Sequence, residues 1–199
     1  MAINIPPQPP QSDFPELPVG SYQAVVSGIW DIGVQKNEFN GEVKFKQQVI
    51  VRFEINKAIP SGKYEGDRYT INSWINLPES FDDRSTFIKL RNAAEARATV
   101  ATDYINYNEQ GLIGKNVILN VEHTKKGKPK IGSIGSIMEG MALIQPLLSS
   151  EMPEWVGKQK EKAVSGGGGT QAPVQPQQDI PPIEAYTQAP PALGDDLPY

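Results

Sequence analysis

The sequence predicts a mainly β domain of five strands, with a helix between the third and the fourth. Three observations carry this. Five segments are rich in β-branched and aromatic residues, and one of them alternates apolar with polar side chains over residues 43–55. Clusters of glycine, proline and asparagine separate the segments. After the third segment the apolar spacing changes to that of a helix.

Each element can be read in order. Residues 1–18 hold Pro6, Pro7, Pro9, Pro10, Pro15 and Pro18, which remove amide donors and fix φ, so an extended arm is expected. The first strand covers residues 21–31, with Tyr22, Val25, Val26, Ile29 and Trp30. Asn37, Asn40 and Gly41 mark residues 33–41 as a turn. In residues 43–55, Val43, Phe45, Val49, Val51, Phe53 and Ile55 share one face. Lys44, Lys46, Gln48, Arg52 and Glu54 share the other, with Ile50 the exception. Phe45 and Phe53 are therefore expected in the core. Pro60, Ser61 and Gly62 break the chain before a third strand at residues 68–77. Asp82, Asp83, Arg84 and Ser85 offer a helix start, and Phe87, Leu90, Ala94 and Ala98 follow at helical spacing. Arg84, Lys89, Arg91 and Arg97 then form a solvated helix face. A shorter helical segment is expected over residues 103–109. Strands four and five fall at residues 116–123 and 129–138, joined by a tip of Lys125, Lys126, Gly127 and Lys128. Residues 151–156 read as a short helix packed on the strands. This order is that of an OB-fold, a five-stranded, partly open barrel.

Composition narrows the functional classes. There is no cysteine and one histidine, His123, at the end of the fourth strand, so neither a zinc site nor a Ser-His-Asp enzyme is expected, and no cofactor. Gly166, Gly167, Gly168, Gly169 and Thr170 lack the lysine of a phosphate-binding loop. Asp82 and Asp83 suit a helix cap better than a magnesium site. No apolar run is long enough to span a bilayer and no signal segment opens the chain, so a cytoplasmic protein is expected. The net charge of −4 is unevenly spread. The bases and acids of residues 1–164 balance. Asp179, Glu184, Asp195 and Asp196 supply the whole excess in a stretch with no base.

Holding a single strand without regard to sequence requires cations along the phosphates and flat side chains on which bases stack. Such residues interleave here: Trp30, Lys36, Lys44, Lys46 and Arg52; then Lys63, Tyr64, Arg68, Tyr69 and Trp74; then Lys125, Lys126, Lys128 and Lys130 around one hairpin. Trp30 suits either core or stacking, and the hairpin lysines suit either a soluble turn or phosphate contact. After residue 157 the chain turns to glycine, proline and glutamine, too poor in apolar residues to offset chain entropy, so residues 158–194 are expected to be a disordered linker. It ends in Asp195, Asp196, Leu197, Pro198 and Tyr199. Carboxylates followed by an apolar residue, proline and an aromatic make a short anchor for a pocket with a basic rim.

That end resembles the acidic tip of bacterial single-stranded-DNA-binding proteins, with tyrosine where the family has phenylalanine. Residues 18–157 are similar to bacteriophage-encoded single-strand-binding proteins. The shared features are Gly20, Ser21 and Tyr22; Asp31, Ile32 and Gly33 with Gln35 and Lys36; Phe87, Ile88, Lys89, Leu90, Arg91 and Asn92; Leu112, Ile113, Gly114 and Lys115 before Val121, Glu122 and His123; and Glu154 with Trp155. The resemblance implies an OB-fold over residues 19–157, a role in phage DNA replication or recombination, and protein partners for the tip. It does not say which residues touch DNA. The competing expectation is a structural or adaptor module that binds protein.

Overall fold

The computed structural model describes residues 15–39, 41–104 and 107–163. Alternation of side chains builds five antiparallel strands: β1 (Gly20–Phe39), β2 (Glu42–Ala58), β3 (Arg68–Asn76), β4 (Asn116–His123) and β5 (Pro129–Ser136). They form one sheet in the order β3-β2-β1-β4-β5. Between β3 and β4 come α1 (Thr86–Glu95), the short α2 (Ala101–Tyr104) and a single 3-10 turn (Glu109–Leu112); α3 (Glu154–Glu161) follows β5. The mainly β class with a helical insert is as expected. Among the described residues no ladder pairs β3 with β5, although the two strands approach each other. α1 lies against β3, β4 and β5, so one helix covers both ends of the sheet order. The chain divides at residue 165, and the unit beyond it, Gly166–Tyr199, lies outside the described residues.

One face of the sheet and the apolar side of α1 make the core. Val26, Ile29, Val51, Phe53, Ile71, Val117 and Leu119 meet Phe87, Ile88 and Leu90 there. Ser85 caps α1, its hydroxyl accepting from the Ile88 amide at 3.2 Å. Ala96 in the left-handed region (φ 51°) ends it, so Ala98 falls outside the helix.

Several expectations need correction. Residues 33–39 continue β1 as a ribbon with β2 instead of turning. Gly33, at φ 76°, serves a register shift between Asp31 and Gly33. Residues 103–109 do not form one helix: α2 ends at Tyr104 and a 3-10 turn begins at Glu109. Arg91 is buried, not solvated. Its guanidinium lies 3.7 Å from the Tyr107 ring centre and donates to the Asp103 carbonyl at 3.1 Å. Burial pushes the Tyr107 phenol well above its usual range. Phe45 is exposed because the β1–β2 ribbon outruns the core beneath it. The arm is anchored at its end: Leu17 is buried, and its carbonyl lies 2.9 Å from His123 Nε2. α3 runs to Glu161, into residues whose composition reads as linker.

Candidate nucleic-acid interface

The face of β1, β2 and β3 away from the core carries the polar half of the β2 alternation. Cross-strand register sets Gln35 beside Lys46, Asn37 beside Lys44, Asn76 beside Gln48 and Trp74 beside Ile50. This face divides into a covered part and an open part.

The covered part lies under residues 141–152, a strap without regular structure that crosses the sheet and is held through its backbone. Glu54, fully buried, accepts from the Leu147 amide at 2.8 Å and the Leu148 amide at 2.9 Å. Asn116 makes both halves of a backbone-like pair with Ile144, donating to its carbonyl at 2.9 Å and accepting from its amide at 3.0 Å. Gln23 donates to the Ala142 carbonyl at 2.7 Å and Arg68 to that of Gln145 at 2.7 Å. Arg52 donates to the Ser149 carbonyl, and the Trp30 indole N–H to that of Ser150 at 3.0 Å. Trp30, Ile32 and Ile50 are then sealed by Val156 of α3. This accounts for Ile50, the apolar exception on a polar face.

Three sequence-derived candidates are thus committed here. Trp30 is buried beneath the strap, its ring 5.0 Å from the Arg52 guanidinium. Arg52 and Arg68 both spend donors on strap carbonyls. Burial pulls Arg52 below its usual value, and the nearby Glu54 opposes that shift. Tyr69 is buried on the other side, in the main core, where its ring has no free face for a base.

The open part continues from the strap toward the ribbon. Trp74 is 52% exposed there, whereas Phe45, 54% exposed, lies on the other face of the ribbon. Lys44 and Lys46 are exposed on this face, while Lys36, exposed too, is paired with Phe45 and lies on the other. Lys44 pairs with Glu42 at 2.9 Å, a solvent-exposed contact of small worth. A depression of about 250 Å³ is lined by Asn37, Glu42, Lys44, Lys46 and Asn76. A second, of about 570 Å³, shares Lys46 and Asn76 and continues past Trp74 to Ser80, Asp82 and Arg84. The Asp82 carboxylate accepts from the backbone and side chain of Arg84, chiefly the former, and is held below its usual range. Gln48 bridges Asn76 at 2.7 Å, which fixes the floor between the two hollows. The result is an amide-lined trough with one exposed indole, in which Lys44, Lys46 and Arg84 face the acids Glu42, Glu79 and Asp82. Lys46, outside the Lys44–Glu42 and Arg84–Asp82 pairs, and the indole are the parts that suit a phosphate and a flat base.

The remaining candidates lie elsewhere. The registers put the β1–β2 ribbon beyond Asp31 and the β4–β5 tip beyond Gly20, at opposite ends of the paired part of β1. Lys63 and Tyr64 sit in the β2–β3 connection at the tip's end, with Lys63 5.2 Å from the half-buried Tyr64 ring. At the tip itself, Thr124 and Lys128 close the turn at 2.8 Å. Lys125, Lys126 and Lys128 are exposed there, while Lys130 pairs with Glu122 at 3.0 Å. If the tip touches phosphate, replacing Lys125, Lys126 and Lys128 with alanine weakens binding to all sequences alike. The log–log salt dependence should also flatten by roughly 0.7 per lost contact. An unchanged slope assigns the three lysines to a solvated turn.

Sequence reasoning missed Asn76, Arg84 and Trp155 as members of this surface. Only for Trp155 was a signal present, a tryptophan beside the apolar Val156 on a short amphipathic helix. Asp195, Asp196, Leu197, Pro198 and Tyr199 lie outside the described residues. Among the described residues no group of three or more acidic or histidine side chains is placed to hold a metal, and no helix is long and apolar enough to cross a membrane. No protein-family model matches the chain, and no curated protein matches it.

Proposed function

We propose that this chain is a non-catalytic single-stranded-DNA-binding protein whose binding surface is the open part of the outer sheet face. One observation carries the reading. Trp74 stands more than half exposed in the midst of a polar face, beside Lys46 and on the wall of a continuous trough. A half-exposed indole on a polar face offers a flat apolar surface on which a base can stack. The lysines supply the sequence-independent part of the affinity and the ring supplies stacking. With the resemblance of residues 18–157, the reading extends to phage replication or recombination in a host cytoplasm. Asp195, Asp196, Leu197, Pro198 and Tyr199 would then dock the enzymes of those processes.

The test is a fluorescence titration with oligo-dT and with the matching duplex at two salt concentrations. Single strands should bind more tightly, with a log–log salt slope of about −0.7 per neutralised phosphate. Equal affinity for duplex, or indifference to salt, would sink the proposal. A second reading, a module that binds protein, draws support from Leu143, Leu147 and Met152, which point outward from the strap. It becomes the leading one if the titration shows no binding.

A further inference from the structure

The strap leads directly into α3, and α3 brings a second indole to the same surface. Val156 faces inward and is fully buried against Trp30, Ile32 and Ile50. Its neighbour Trp155 therefore faces out, 39% exposed, with its ring centre 6.1 Å from that of Trp74 and the two planes inclined at 52°. Clamping one base between two rings needs parallel planes about 7 Å apart, twice a carbon contact distance. This pair is too close and too tilted for that. Each ring is instead partly exposed by itself.

We infer that Trp155 is a second stacking ring of the single-strand interface, and that the strap positions it. The inference rests on the single-strand reading above and deepens it. The two rings serve neighbouring bases, one from the sheet and one from α3. Helix, strap and sheet are joined by strong local contacts. The strap is tied down by Glu54, Asn116, Arg52 and Arg68, and α3 by Val156. A strand that touches both rings bridges the sheet and the strap. Binding therefore tightens the strap and does not expel it. Lys158, one turn along α3 from Trp155, adds a cation on the same helix, loosely paired with Glu154 at 2.7 Å.

The experiment uses the full-length chain and oligo-dT, in the unmodified protein first. Trp155→Ala should melt as the unmodified protein does and bind roughly 5–20-fold more weakly, the lower part of the range for one stacked base. Trp155→Phe should recover most of that loss. In Trp74→Phe, where only Trp30 and Trp155 remain to fluoresce, saturating oligo-dT should still quench emission. Hydrogen exchange at the Leu147 and Leu148 amides should slow on binding. Unaltered affinity in Trp155→Ala, or emission of Trp74→Phe indifferent to oligo-dT, leaves Trp155 as mere packing for Trp74 and overturns the inference alone. Tighter binding by Trp155→Ala, or faster exchange at the two amides, overturns it too, because the strap is then a cover over the site. Absence of binding by the unmodified protein overturns the single-strand reading itself.

Discussion

Glu54→Ala is expected to unfasten the strap and lower stability by about 3 kcal/mol. The Glu54 carboxylate is buried, and its two oxygens hold two successive amides at 2.8 and 2.9 Å. Hydrogen bonds to a charged group contribute roughly 1.5–3 kcal/mol each, and an orphaned buried donor adds its desolvation cost. The loss stays near the lower sum because the strap is a surface segment, so the freed amides can turn to water. Arg68, 3.8 Å from the same carboxylate, loses that ion pair as well. The melting temperature should fall by roughly 6–12 °C. Hydrogen exchange should quicken at Leu147 and Leu148 first, while amides of β2 facing β1 keep their protection. A melting temperature within a degree or two of the unmodified protein would show that Asn116 and Trp30 hold the strap without Glu54.

Trp74→Ala should leave the fold intact and weaken oligo-dT binding by roughly 5–150-fold, the equivalent of about 1–3 kcal/mol for one stacked base. Trp74 is more than half exposed, so its removal empties no cavity in the core. The salt slope should not change, because an indole neutralises no phosphate. This separates the ring from its neighbours. Lys46→Ala should flatten the slope and cost less affinity. Titrations of each variant at two salt concentrations read both quantities. If Trp74→Ala binds as well as the unmodified chain, stacking on Trp74 is excluded and the sheet part of the trough is at most an electrostatic track.

The kind and order of the elements were legible because their signals are local. Alternation over residues 43–55, helical spacing after Ser85 and the β4 span of Asn116–His123 depend only on neighbours a few residues away. The asymmetric charge is likewise a property of composition. Which aromatics meet solvent was not legible, and two assignments show why. Phe45 obeys the apolar alternation of its strand, yet it stands in water, because the β1–β2 ribbon extends past the residues that would cover it. Trp30 is covered by a carbonyl 120 residues away and Arg52 by one 97 residues away. No periodicity near either residue carries that information. Sequence alone determined a five-stranded β domain with a helical insert and the residue types from which a single-strand surface can be made. Only the tertiary structure decided which of them stay available, because burial depends on chain segments brought together across the fold, and here the strap takes Trp30, Arg52 and Arg68 out of reach while α3 sets Trp155 beside Trp74.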